Sequence, residues 1–206
     1  MKSSLKNMVL VLFAITLVCS VCVGVVNMIT AKPIADAKAE AEQSALRNVL
    51  PEFEATDRMD YEIDGLPIEV YKASAAGATV GYAVKTATKA GFGGLVRLMV
   101  GFDTEGRVLN INVLEQSETP GLGAKMCDEG NPLLASFKDK KPAAMTLKVR
   151  KDGGDVDALT AATISSRAYT DAVARALAAY NKATGKASDA TSGATAQTEK
   201  GEENGK

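Results

Sequence analysis

The sequence contains no histidine, and it has only three cysteines. Without histidine, Ser-His-Asp hydrolysis is excluded, and the commonest nitrogen ligand for zinc or haem is missing. Cys19 and Cys22 lie in an apolar N-terminal run, so Cys127 is alone in the remainder of the chain. That remainder cannot close an internal disulfide and must be held together by its core.

An excess of positive charge is also missing. The 24 Lys and Arg residues face 25 Asp and Glu residues, which gives a formal net charge of -1. Because phosphate binding needs clustered positive charge, we expect no nucleic-acid partner. The length of 206 residues allows one folded domain of ordinary size with additional segments.

The longest apolar run covers residues 8–29 and carries no charge. It is long enough for one transmembrane helix, and it is longer than a signal-peptide core and lacks a small-x-small cleavage site. Lys2 and Lys6 precede it. The positive-inside rule therefore predicts a single-pass protein of the inner (cytoplasmic) membrane, with residues 1–7 in the cytoplasm and the main domain extracytoplasmic, or periplasmic.

Cys19 and Cys22 are three residues apart and would share one helix face. A pair of ligands for an intramembrane metal centre is one interpretation. Two thiolates form an incomplete site, however, and small apolar cysteines are common in helix interfaces. We favour the interface and expect no metal site.

Residues 30–51 are rich in Ala, Glu and Lys, which favour helices, and Pro33 suits a first helical position. We predict a helical stalk that ends before Pro51, with a surface helix of the domain as the alternative. Residues 185–206 are polar, without a large apolar residue, and we predict that this tail is disordered.

Residues 52–184 form the predicted extracytoplasmic domain. Four short runs have the alternation or apolar character of strands, namely IEVYKA (68–73), TVGYAVKTA (79–87), LVRLMVGFD (95–103) and RVLNINVLE (107–115). The segment Asp103–Gly106, with the sequence DTEG, predicts a hairpin turn. The fold class is therefore α+β, with later helices packed on an antiparallel sheet.

A last helix is predicted from Ser165 or Ser166, either of which can cap it, to about Ala183. Its apolar residues recur at helical spacing and predict one buried face. This face contains Ala168, Ala172, Ala176, Leu177 and Tyr180.

Three further segments are candidates for binding. They are GFGG (91–94), ETPGLG (118–123) and DALTAATISS (157–166), and the last is partly repeated as DATSGAT (189–195). Glycine lets the backbone approach a ligand closely or adopt a positive φ, and proline fixes a turn. Taken singly, each glycine segment is better explained as an ordinary turn than as a ligand site.

Together, in this order and spacing, these segments resemble the FMN-binding subunits of membrane redox pumps. The chain is similar to the G subunit of the Rnf complex over about residues 1 to 180, and more distantly to the C subunit of the sodium-pumping NADH:quinone oxidoreductase. In that family the last Thr of a D-A-x-S/T-G-A-T pattern accepts FMN through a phosphoester bond, made by a separate flavin transferase that uses FAD. The resemblance implies that Thr163 carries covalent FMN.

The resemblance also implies a set of surrounding site residues. Asp157 is expected to be needed during flavin transfer, and the following helix start and hydroxyl groups are expected to favour the phosphate. The two glycine segments are expected to border the flavin. Besides Thr163, the predicted FMN-binding residues are Asp157, Thr160, Ser165, Ser166, Phe92, Gly93, Gly94, Thr119, Gly121, Leu122 and Gly123.

This sequence departs from the family pattern at Ala161, where glycine is usual. If that position needs a positive φ, alanine costs about 1 kcal/mol or more. The second copy keeps the glycine and ends at Thr195, but no apolar helix follows it. We assign the flavin to Thr163, with modification of Thr195 as the alternative.

The resemblance implies a redox subunit, not catalytic alone, of a complex that couples electron transfer of the ferredoxin/NAD type to ion translocation. Covalent FMN would serve as an electron relay, and the partners would be the membrane, other subunits and the flavin transferase. Three alternatives stay open. They are the C subunit of the quinone oxidoreductase, a free-standing extracytoplasmic flavin carrier, and a membrane-anchored scaffold domain without redox chemistry.

Overall fold

The computed structural model describes residues 5–186. The predictions for Thr195 and for most of the 185–206 tail lie outside the described residues. The chain divides into two compact units, residues 1–43 and residues 44–206.

The first unit consists of most of helix α1, which runs from Leu5 to Val49. Among the described residues, α1 is the helix that is long and apolar enough to cross a membrane. The large apolar side chains of its residues 5–34 are exposed, as expected for a surface that faces lipid. Pro33 lies inside α1. The expectation that Pro33 occupies a first helical position is therefore wrong.

The second unit contains a five-stranded antiparallel sheet in the order β1-β2-β3-β4-β5. Each strand pairs with the next through a hairpin, and the strand bounds are Ala55–Ile63, Leu66–Ala75, Ala78–Gly91, Gly94–Phe102 and Val108–Glu115. The predicted turn at Asp103–Gly106 joins β4 to β5, and the Asp103 carboxylate accepts hydrogen bonds from the Glu105 and Arg107 amides at 2.8 Å. The predicted α+β class with an antiparallel sheet is confirmed.

Strand β1 was not predicted. Its sequence, ATDRMDYEI, is charged, and its residues are exposed or half-buried. β1 is an edge strand that pairs with β2, and its residues Met59, Tyr61 and Ile63 are half-buried against the hydrophobic core. Charged residues at such an edge oppose pairing with other chains and also hide the alternation of a half-buried strand.

Two hydrophobic clusters cover the two faces of the sheet. On one face, helix α3 (Thr163–Thr184) packs mainly on β3 and β4. Val84, Val96, Leu98 and Val100 belong to this larger core. On the other face, Ala45 and Val49 at the end of α1 pack with Ala73, Ala83 and Met99. Alternate residues of one strand thus reach different cores, as the strand period of two requires.

Helix α3 confirms the predicted buried stripe, and all five of its members are at most 2% exposed. The predicted start is wrong, because α3 begins at Thr163 and its N-cap residue is Ala162, without a side-chain cap. Ser165 and Ser166 lie within the first turns and do not cap the helix. A short helix α2 (Pro132–Phe137) and three single-turn 3-10 segments, at Gly123–Cys127, Pro142–Ala144 and Arg150–Asp152, connect β5 to α3.

Candidate functional site

The three segments singled out in the sequence meet at one buried side chain, Glu118, which is 4% exposed. Its Oε1 accepts a hydrogen bond from the Gly93 amide at 3.0 Å, in the turn between β3 and β4. Its Oε2 accepts a hydrogen bond from the Ser165 hydroxyl, in the first turn of α3. The fold therefore brings the turn, the loop after β5 and the start of α3 together.

Two of the predicted site glycines pack against the protein itself. A Cβ at Gly123 would overlap Ser165 Oγ and lie 2.9 Å from the Glu118 Cβ. A Cβ at Gly93 would overlap the Ser117 carbonyl. Glycine is needed here because backbone and side chains approach too closely for any larger residue.

Gly94 and Gly121 differ from these two glycines. Their φ angles are 102° and 76°, and no atom lies within 4 Å of where their Cβ would be. They provide positive φ at turns that face open space. Gly94 and Gly121 are therefore the predicted site glycines beside which a ligand has room.

Thr163 is the first residue of α3 and is half-buried. The first helical hydrogen bond in this turn runs from the Ser166 amide to the Ala162 carbonyl at 3.0 Å. The amides of Thr163, Ile164 and Ser165 come before it and have no intrahelical acceptor. Amides at a helix start, together with the positive end of the helix dipole, favour a phosphate.

The hydroxyl groups of Ser165 and Ser166 are both used inside the protein. Ser165 donates to Glu118, and Ser166 donates to the Ala162 carbonyl at 2.8 Å. Ser166 Oγ also accepts from the Leu159 amide at 2.9 Å. Ser166 thereby fastens the segment before α3 to the helix.

Asp157 lies at the surface, at the beginning of the segment that precedes α3. Its carboxylate pairs with Arg150, and its amide donates to the Ser136 hydroxyl at 2.9 Å. Thr160 is exposed, and the next residue, Ala161, has a φ of 59°. Alanine thus occupies a left-handed conformation two residues before Thr163. At a positive φ the replacement of the usual glycine by alanine costs conformational energy.

A second ion pair holds the turn at Arg150–Asp152 against α3. Arg167 donates two hydrogen bonds to the Asp152 carboxylate, at 2.7 and 2.8 Å. The hydrogen bond from Arg167 lowers the pKa of Asp152 below its ordinary value. The segment that leads to Thr163 is therefore fastened at both ends.

Exposed apolar side chains flank the site. Among the described residues from 44 onward, the exposed large apolar side chains are Phe92, Leu122 and Ile164, at 68%, 41% and 48% exposure. They directly precede Gly93, Gly123 and Ser165 in the sequence. These are the residues that bond to or pack against the Glu118 side chain. Exposed apolar groups gathered in one place are typical of a binding surface.

Sequence reasoning missed Glu118 and Ile164. Glu118 appears in the sequence only as part of the ETPGLG segment, and nothing in one sequence distinguishes it from an exposed glutamate. Ile164 had a detectable signal, because it lies off the buried stripe of α3 while being the most apolar residue of the first turn. Among the described residues, no group of three or more His, Cys, Asp or Glu side chains could hold a metal ion.

The sequence matches two family models. The "FMN-binding domain" model matches residues 91–178, and the "RnfG N-terminal region" model matches residues 1–49. The first match contains all three segments that meet at Glu118.

Curated relatives agree over most of the chain. The G subunit of the ion-translocating oxidoreductase complex of Shewanella amazonensis is 37% identical over 85% of this chain and 87% of its own length. The G subunit of the Na(+)-translocating ferredoxin:NAD(+) oxidoreductase complex of Acetobacterium woodii is 30% identical over 83% of this chain and 89% of its own length. The corresponding G subunit of Stutzerimonas stutzeri is 36% identical over 73% of this chain and 70% of its own length.

Proposed function

Because the chain belongs to the family of G subunits of ion-translocating oxidoreductase complexes, we propose that it carries FMN on Thr163 as an electron relay. The whole complex would couple electron transfer, of the ferredoxin/NAD type, to ion movement across the membrane. We favour this function over two alternatives from the sequence, the C subunit of the quinone oxidoreductase and a free-standing flavin carrier, because of the family membership.

The observation that carries the proposal is the convergence on Glu118. Gly93, Glu118 and Ser165 come from three separate segments, and hydrogen bonds join them. Thr163 is two residues from Ser165 on the same helical turn, so these bonds hold the backbone that carries its hydroxyl.

The residues present suit an attached flavin. The start of α3 offers amides and a positive dipole end to the phosphate. Phe92, Leu122 and Ile164 offer apolar surface to the ring system, and the open sides of Gly94 and Gly121 leave room beside it. Thr119 lies on the loop that carries Leu122. Polar contacts would be few and would fix the orientation of the flavin, as in most cofactor sites.

Attachment would transfer the FMN part of FAD to Thr163. A bond forms between Thr163 Oγ and the FMN phosphorus, the pyrophosphate bond of FAD breaks, AMP leaves, and the threonine proton is released. A separate flavin transferase would catalyse this step. The exposed side chains of Asp157 and Thr160 are accessible to such an enzyme, and we infer that Asp157 is required at this stage.

Bound FMN supplies the redox chemistry by accepting and donating electrons. The protein would hold the cofactor, shape its surroundings and keep it from being lost. No side chain of this subunit is needed as a general acid or base.

The placement in the membrane is also a proposal. Residues 8–29 of α1 would cross the inner membrane once, with residues 1–7 in the cytoplasm. Residues 30–51 would form the stalk, and residues 52–184 the periplasmic FMN-binding domain. Other membrane subunits of the complex would be the electron-transfer partners.

The test is the intact mass of the full chain purified from its native host, followed by peptide mass spectrometry. We expect an added mass of FMN less water on the peptide that contains Thr163. The adduct should disappear in Thr163→Val and persist in the matched variant Thr195→Val.

An adduct that persists in Thr163→Val and disappears in Thr195→Val would assign the flavin to the second copy of the motif. An unmodified protein from a host with an active flavin transferase would refute the relay and favour the membrane-anchored scaffold.

A further inference from the structure

Glu118 is a buried acid whose hydrogen-bond donors are neutral groups. Of the described residues, the buried acids are Glu118 and Asp171. Asp171 pairs with the Arg175 guanidinium at 2.8 Å. Glu118 accepts its hydrogen bonds from an amide and a hydroxyl group, those of Gly93 and Ser165.

This arrangement fixes the position of the Glu118 side chain. Burying a carboxylate is costly unless its oxygens are hydrogen-bonded, so both donors must stay in place. The glycines leave no spare volume, since a Cβ at Gly91 would lie 2.5 Å from Glu118 Oε1 and one at Gly123 would lie 2.9 Å from Glu118 Oε2. Glu118 therefore acts as a clamp between the two glycine segments and the first turn of α3.

We propose that Glu118 is a positioning residue that fixes the two glycine segments relative to Thr163, and so sets the orientation of the flavin attached there. The second half of this inference rests on the proposed function. The first half concerns only the protein and is testable without a flavin.

The clamp is tested first in the full-length Thr163→Val protein, which lacks the attachment hydroxyl. Glu118→Met preserves side-chain length but removes both acceptors. Glu118→Gln keeps one acceptor for the Gly93 amide, and its amide group can donate to the Ser165 hydroxyl oxygen. The matched control is Glu115→Met, because Glu115 lies three residues earlier in a half-exposed pair with Arg97.

Hydrogen–deuterium exchange should then increase about tenfold in Glu118→Met for the peptides covering 91–94 and 119–125, as for the loss of a hydrogen bond to a charged group. Glu118→Gln and Glu115→Met should exchange like the parent. The far-UV circular dichroism of each variant verifies that it is folded.

The orientation is tested in proteins that carry Thr163. Visible circular dichroism of the flavin reports how rigidly the ring system is held by its surroundings. We expect Glu118→Met to lose most of this signal while intact mass still shows the adduct, and we expect Glu118→Gln to retain it.

A folded Glu118→Met with parental exchange in both glycine segments would overturn the clamp. If Glu118→Met does not accumulate, Ser165→Ala replaces it, because this variant removes one of the two donors to Glu118. Parental hydrogen exchange and parental flavin dichroism in Ser165→Ala would then overturn the clamp. Absence of the adduct from the wild-type protein would refute the proposed function and would leave the exchange result standing.

Discussion

The Ser165 hydroxyl donates a hydrogen bond to the Glu118 carboxylate, across 47 positions of the sequence. Both side chains are buried. Ser165 lies in the first turn of α3, and Glu118 lies in the loop after β5, so this bond connects the segment that contains Thr163 to the sheet. The position of the helix turn that carries Thr163 thus depends on a contact with a residue far away in the sequence.

Replacing Ala161 with glycine should stabilise the protein by about 1 kcal/mol, because its φ of 59° is unfavourable for a residue with a Cβ. Urea unfolding of the full chain in detergent measures this. Ala76→Gly is the matched variant in a turn remote from the site, and its φ of 49° predicts a similar gain. Ala135→Gly, in α2, should instead lower stability. A loss of stability in Ala161→Gly would contradict the strain.

Gly123→Ala should displace Ser165 or Glu118, since its Cβ would overlap the serine hydroxyl. We expect the free energy of unfolding to fall by about 1–3 kcal/mol, as for overpacking of a tight interior. Flavin attachment to Thr163, measured by intact mass, should also fall. Gly130→Ala is the control, because Gly130 has a φ of 72° and nothing within 4 Å of its Cβ position. Gly130→Ala should lose stability through its positive φ alone and should keep the flavin attachment. Because Gly123 has no positive φ, a Gly123→Ala protein of unchanged stability would contradict the close contact.

Asp171→Ala should destabilise the domain by about 3 kcal/mol, because it leaves buried polar partners without their acceptor. Asp171 accepts hydrogen bonds from the Thr88 hydroxyl at 2.6 Å and from Arg175 at 2.8 Å. The control is Asp60→Ala, whose exposed pair with Arg58 should contribute far less because water screens it. The urea unfolding midpoints of the two full-length variants measure the two losses of stability. Similar losses in Asp171→Ala and Asp60→Ala would contradict the prediction.

The Arg167–Asp152 pair should hold the 150–153 turn at neutral pH and release it in acid. Because the pKa of Asp152 is lowered in the folded protein, the pair stabilises above the unfolded value of about 3.9. This contribution is lost as the pH falls through the lowered pKa. Its side chains are about 30% exposed, so we expect less than about 1 kcal/mol.

Hydrogen exchange of the peptide covering 148–157, compared with Arg167→Gln at each pH, isolates this pair. The wild-type protein should be better protected at about pH 5 to 7, and the two proteins should converge only when the pH falls below the lowered pKa of Asp152. A difference that persists in acid would show that Arg167 acts through another contact.

Much of the fold follows from local pattern. The runs that became β2 to β5 alternate or are continuously apolar, DTEG forms the turn between β4 and β5, and the alanine stripe forms the buried face of α3. Strand β1 escaped prediction because charged residues dominate it and its alternate residues Met59, Tyr61 and Ile63 are only half-buried. The start of α3 was misplaced because a serine looked like the cap, whereas Ser165 and Ser166 bond elsewhere.

The sequence by itself determined the apolar segment of α1, the antiparallel sheet and the short segments worth attention, since these depend on composition and on periods of two and 3.6 residues. Only the tertiary structure decided that Gly93 and Ser165 both donate hydrogen bonds to Glu118, that Gly123 is a packing glycine, and that Ala161 is left-handed. These facts depend on distances between residues far apart in the chain or on one backbone angle. No local pattern encodes them, because the contacts exist only after the sheet and α3 have packed.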